Sequence, residues 1–215
     1  MVASPVRVKV KRDEEWIAAV ICTSISAEAL RQYYDLWLPM LPGEEDEEWD
    51  WQDFLGREHR DGCDYMSLWV GTICEGLAIV RRQRPMRGIG ATGLNGCYVE
   101  RLCTAPWNRI TVRARAACER PRVRPIGKWL LWRAAKMSVD LGSEGRLAWH
   151  SLSGARDDYK RMLPHLQDLG PDEDEDGLPW YELDAVVGIQ LIKEMGNLLL
   201  VDEPRPSGTK DAGSC

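Results

Sequence analysis

Apolar and polar residues alternate from Val6 to Lys11, with basic side chains in the polar places, as on an edge strand. Beyond Asp13 the spacing shifts to Trp16, Ile17, Val20 and Ile21, which share one stripe of a helix. Ser26 is a predicted N-cap for a second helix over Ala27 to Met40, stopped by Leu41-Pro42-Gly43. Trp51, Phe54 and Leu55 at i, i+3, i+4 predict a short amphipathic helix with an acidic outer face. Tyr65 to Gly71 and Thr72 to Arg81 predict a strand pair, followed by a Gly-rich loop over Arg87 to Gly96.

Cys97 to Ala105 predicts the next strand. The stretch from Pro106 to Pro125 lacks a clear period, and loops of that length inside compact domains are usually functional or disordered. Ile126 to Leu141 is apolar on most faces and closes on Gly142, as a helix packed onto a sheet would be. Arg146 to Leu152 predicts a strand, and strand–helix–strand in that order predicts a parallel pair with a right-handed crossover. Ala155 to Leu169 reads as a helix, Trp180 to Leu183 as a strand and Ala185 to Leu199 as a final helix. The tail from Pro204 to Cys215 has the composition of a disordered segment. No internal repeat is visible, and residues 1–203 read as one domain.

At 215 residues and 44% hydrophobic, the chain can bury a substantial core. A net charge of −6 argues against a dedicated nucleic-acid binder. No apolar run reaches the ~18 residues of a membrane span, and the N-terminus lacks an apolar signal core, so a cytoplasmic protein is expected. Seven cysteines form no CxxC pair and only three histidines are present, which predicts reduced thiols and no metal site. Ten tryptophans against one phenylalanine read as core filling.

The charge is unevenly spread. Arg109 to Lys128 holds six arginines, one lysine and one glutamate, a local +6 that leaves −12 for the rest of the chain. This patch leads into the predicted helix at Ile126, and a helix start offers unpaired N–H groups and the positive end of a dipole. Arginines converging there describe a phosphate site. Conversely, Glu44 to Asp53 holds seven acids in ten residues, read either as a solvated face or as a surface that steers a cationic ligand. Asp172 to Asp176 reads as a solvated acidic loop.

Three segments together carry a family resemblance: Val99-Glu-Arg-Leu-Cys-Thr-Ala-Pro-Trp-Asn-Arg109, Arg122-Val-Arg-Pro-Ile-Gly-Lys-Trp-Leu-Leu131 and Leu147-Ala-Trp-His-Ser-Leu-Ser-Gly-Ala-Arg-Asp-Asp-Tyr159. Their order resembles the cofactor half of the GNAT superfamily of acyl-CoA N-acyltransferases, over about Cys97 to Leu183. The family's loop motif is Arg/Gln-x-x-Gly-x-Gly/Ala; here Arg122 takes its first place and Gly127 its last, while Pro125 replaces the middle glycine. The aromatic residue that commonly precedes the family tyrosine is Asp158 here.

The resemblance implies an α/β fold with a mixed, mainly antiparallel sheet and helices on both faces. Residues 1–96 would supply acceptor-site helices and residues 97–203 the acetyl-CoA-binding half. It implies N-acetyl transfer from acetyl-CoA to a primary amine of a small molecule or protein. Arg122, Arg124, Ile126, Gly127 and Lys128 would hold the pyrophosphate, and the backbone of Leu102, Cys103 and Thr104 would meet the thioester. Tyr159 would protonate the departing thiolate, and Glu100 or a water would take the amine proton. Glu100 has an alternative reading as the ion partner of a neighbouring arginine such as Arg101, and Tyr159 as a packing residue. His150 reads as structural or as a base, and Cys103 as a core residue. A catalytically silent binding module remains open, as does a toxin-like enzyme acting on aminoacyl-tRNA, with Arg81 to Arg87 and Arg109 to Arg124 on the RNA backbone. A homodimer stays open too.

Overall fold

The computed structural model describes residues 5–56, 62–88, 92–110, 112, 120 and 122–200. Nine described strands form one sheet: β1 (Val6–Arg12), β2 (Glu15–Cys22), β3 (Cys63–Val70), β4 (Ile73–Pro85), β5 (Asn95–Thr104), β6 (Val123–Arg124), β7 (Leu147–His150), β8 (Gln167–Asp172) and β9 (Leu178–Leu183). They lie in the order β6-β1-β2-β3-β4-β5-β7-β9-β8. Neighbours are antiparallel except β5 and β7, which are the predicted parallel pair joined by the long helix. The helices are α1 (Ala27–Gln32), α2 (Trp51–Gly56), α3 (Ile126–Asp140), α4 (Arg156–Met162) and α5 (Ala185–Gly196). The mixed, mostly antiparallel α/β architecture expected from the sequence is the one that forms.

Four elements differ from the sequence reading, each for a local reason. The stripe of Trp16, Ile17, Val20 and Ile21 is strand β2 and not a helix: Asp13 takes a positive φ of 51°, turns the chain back, and β2 pairs with both β1 and β3. Helix 27–40 is regular only to Gln32. Pro39 has no N–H for the carbonyl four residues back, and the helix widens into a π-type turn over Tyr33–Trp37, then tightens over Leu38–Met40. Helix 155–169 ends at Met162, because Leu163 precedes Pro164 and leaves the helical region. Residues 167–172 instead form the edge strand β8, where a Gly-Pro pair is tolerated. The two-residue β6 inside the basic loop had no sequence signal. Most of residues 111–121 and the tail 204–215 lie outside the described residues.

One sheet face packs on α3 and α5 through Val99, Ala78, Trp129, Leu130, Trp149, Tyr181 and Leu191. The opposite face carries Leu77, Ile79 and Cys103 under Tyr33, Trp37 and Trp51 of the α1–α2 region. Gly76 sets how closely α3 approaches: a Cβ there would meet Ile126 Cγ2 at 2.5 Å. No described helix is long and apolar enough to cross a membrane.

Candidate active site

The site starts from a short piece of strand pairing. β5 and β7 are in register only at Cys97/Leu147, Tyr98/Ala148 and Val99/Trp149. β7 ends one residue later, whereas β5 runs on to Thr104, so backbone groups of β5 that point away from β4 lose their ladder partner. Glu100 lies at the start of this opening and in a bulge: Arg101 pairs with Ile79 and Val99 with Val80, leaving Glu100 unmatched between them. Its carboxylate is gripped by Arg81, whose Nε donates to Oε1 at 2.7 Å and whose Nη2 meets the same oxygen. The partner is therefore Arg81, across the β4–β5 pair, and not Arg101. Arg101 donates to the Glu100 carbonyl at 2.6 Å and lies over Trp49 and Phe54.

On the α3 side, the helix begins with Pro125 as its N-cap residue and has no side-chain cap. The first-turn amides of Ile126, Gly127 and Lys128 have no side-chain acceptor at the helix start, while Pro125 lacks the N-cap N–H, the fourth donor that a helix start leaves unpaired. Gly127 faces the open end of β5: a Cβ there would lie 3.6 Å from Leu102 Cδ2 and 4.0 Å from Thr104 Cγ2. The cations predicted around this point do not converge. Arg122 donates through Nε to the Asn108 carbonyl at 2.9 Å, Arg124 pairs with Glu14 at 3.0 Å, and Lys128 reaches Glu194 on α5 at 2.6 Å. Ile126 and Cys103 are buried among apolar neighbours, and burial pushes the Cys103 thiol well above its ordinary range.

Tyr159 projects from α4 onto the same sheet face, with its ring 5.2 Å from Trp149 and 6.4 Å from Tyr181. Burial raises its phenol, with smaller contributions from Cys103 and Asp158 opposed by Arg109. Its hydroxyl makes no hydrogen bond among the described residues, and neither does the buried Trp149 Nε1. Asp158 points to solvent and pairs with Arg161 at 2.8 Å.

Several residues here carried no sequence signal as a group. Asp46, read as part of a solvated acidic face, is 4% exposed and holds Arg109 with two bonds of 2.7 and 2.6 Å. The same guanidinium donates to the Thr104 carbonyl at the end of β5. Glu45 accepts from the amides of Ser153 and Gly154 at 3.1 and 2.8 Å, just before α4. The acidic turn thus reaches both edges of the opening. Glu75 is buried and accepts from Trp107 Nε1 and Asn108 Nδ2 at 2.8 and 2.7 Å, while Asn108 Oδ1 accepts from the Val123 amide at 2.7 Å. Desolvation pushes the Glu75 carboxyl upward. His150 bridges Tyr98 Oη at 2.6 Å and Asp172 at 2.9 Å, on the sheet face opposite Tyr159.

No protein-family model matches the chain, and no curated relative matches it. Solved structures do. The GNAT domain of S. lividans PAT aligns with a TM-score of 0.52 at 14% identity, over 84% of this chain and 96% of that one. Escherichia coli ElaA aligns at 0.46 and 10% identity, over 78% and 100%. A Bacillus subtilis acetyltransferase solved in complex with CoA aligns at 0.43 and 13%, over 76% and 97%. With its parallel strands parting after three residues and a long helix crossing between them, this chain has the GNAT fold.

Proposed function

We propose that the protein is an N-acetyltransferase that moves an acetyl group from acetyl-CoA to a primary amine by direct attack. The observation that carries this reading is the uncapped start of α3 beside the open end of β5. Three amides without a partner among the described residues, at the positive end of a fifteen-residue helix, suit a pyrophosphate, and Gly127 lets it approach the backbone closely. The Tyr159 hydroxyl and Trp149 Nε1, both without partners among the described residues, supply donors along the same side. Arg122, Arg124 and Lys128 would exchange their present partners for phosphate oxygens.

Acetyl-CoA supplies the acyl group as an activated thioester. Amides of Leu102, Cys103 and Thr104 would polarise its carbonyl. Tyr159, kept protonated by burial, would give its proton to the sulfur. Glu100 or a water beside it would receive a proton from the amine. Pro125 precedes the first turn, so the amides of Ile126, Gly127 and Lys128 support retained cofactor binding over a silent module. On the toxin-like alternative, Arg81, Arg82, Arg84 and Arg87 would likewise exchange Glu100, Asp64, Glu175 and Asp172 for phosphate oxygens of RNA. Calorimetry with acetyl-CoA tests the proposal: saturable binding is expected, and no binding at about 1 mM, where even −4 kcal/mol would register, overturns it.

A further inference from the structure

Across the opening from Glu100, at the matching place on β7, stands His150. Glu100 is already held by a guanidinium, but His150 is arranged as the middle of a chain. Its Nε2 faces Asp172 Oδ2 at 2.9 Å and its Nδ1 faces Tyr98 Oη at 2.6 Å. A carboxylate only accepts, so Nε2 carries the hydrogen and Nδ1 accepts from the phenol. All three side chains are buried, and Asp172 is further fixed by Arg87 at 2.6 Å. Trp180 packs edge-on against the imidazole at 4.8 Å, and Glu182 fixes Trp180 through Nε1 at 2.7 Å. The ring has one place to sit.

The charges around the chain favour moving a proton along it. The Arg84 guanidinium lies 4.1 Å from the centre of the Tyr98 ring and, with Arg101, favours the phenolate; Glu100 and Glu175 oppose it. Burial is the largest effect and pushes the Tyr98 phenol up to about 12, so it rests protonated and donating to His150. The His150 hydrogen bond, followed by that from Arg87, holds the Asp172 carboxyl below its ordinary range. Tyr98 Oη has no other hydrogen bond among the described residues, so its oxygen keeps a lone pair for an incoming N–H.

We infer that Tyr98, His150 and Asp172 form the proton relay that takes the first proton from the acceptor amine, an inference that rests on the acetyl-transfer reading. The ammonium proton passes to Tyr98 Oη as the Tyr98 proton passes to His150 Nδ1, leaving an imidazolium against the Asp172 carboxylate. The freed amine lone pair forms the N–C bond, and Glu100 or a water beside it takes the second proton from the attacking nitrogen. The C–S bond breaks, and the sulfur takes a proton from Tyr159, which recovers one from solvent. His150 later returns its proton to solvent. His150 and Asp172 act through Tyr98 and are positioning residues in this scheme.

The test follows turnover against pH with acetyl-CoA and two probe amines, spermidine and a lysine-containing peptide. His150→Ala should lower kcat about 100-fold with the acetyl-CoA KM little changed, lose the acidic limb of the profile and recover with added imidazole. Asp172→Asn should displace that limb. Glu100→Gln should slow turnover yet keep it. Ring 15N spectra of the free protein should show the Nε2–H tautomer for His150, whether or not either amine reacts. Wild-type turnover with an unchanged limb and no imidazole rescue in folded His150→Ala overturns the relay alone, as does an Nδ1–H tautomer. Failure of the wild type to bind acetyl-CoA overturns the transfer reading and the relay together.

Discussion

The two faces of the β5–β7–β9 strip differ although consecutive residues build them. Val99, Trp149 and Tyr181 point to the α3 side, while Tyr98, Ala148 and Trp180 point away from it. On the α3 side Trp149 Nε1 and the Tyr159 hydroxyl have no partner among the described residues. On the other side Tyr98, both nitrogens of His150, and Trp180 Nε1 are all engaged. A buried donor without a partner costs about 1–3 kcal/mol, which a ligand can return on binding. A satisfied network is already in its working arrangement and needs no reorganisation at the moment of reaction. One face is built to receive a molecule and the other to hold charge still.

The largest expected effect is on the receiving face. Gly127→Asp should weaken acetyl-CoA binding more than about 100-fold by calorimetry, as a carboxylate enters the phosphate position. Gly127→Ala separates approach from folding: its Cβ meets Leu102 at an ordinary 3.6 Å, so the melting temperature should hold while affinity falls. Next comes the acidic turn. Asp46→Ala removes both bonds to an Arg109 side chain that is 18% exposed, leaving it the Thr104 carbonyl and, among the described carboxylates, Glu44 at 3.7 Å, and should cost about 2 kcal/mol in urea unfolding.

The sharpest comparison is between two tyrosines. Tyr98→Phe leaves His150 Nδ1 without its donor and should cost about 1–2 kcal/mol of stability. Tyr159→Phe loses no hydrogen bond among the described residues and should stay within about 0.5 kcal/mol, while slowing turnover about 100-fold. Equal stability losses would erase the distinction between the faces. The smallest effect is with acid. Asp172 and Asp168 have folded values below the ordinary 3.8, so their contribution is present above that pH and lost as pH falls through the folded values; thermal melts should decline there and less steeply in Asp168→Asn.

The strand at 97–105 and the helix at 126–141 were legible because each buries a pattern that its own sequence repeats. Residues 15–22 were not: Trp16, Ile17, Val20 and Ile21 suit a helical stripe, and only pairing with β1 and β3 decides for a strand. β8 lacks alternation and is held by β9 alone. The candidate site divides in the same way. Gly127 and Tyr159 stand on long local motifs. The partners of Glu100, Arg109 and His150 come from β4, from the turn before α2 and from β8, and only the sheet order brings them near.

The turn carrying Glu45 and Asp46 has a mechanical consequence. One carboxylate is fastened beyond the end of β5, through Arg109, and the next beyond the end of β7, at Ser153 and Gly154. Like a tie rod across a pair of jaws, it fixes how far the strands can part without a bond being stretched. A molecule that wedges them wider must stretch one of these bonds, each worth about 1.5–3 kcal/mol as a hydrogen bond to a charged group.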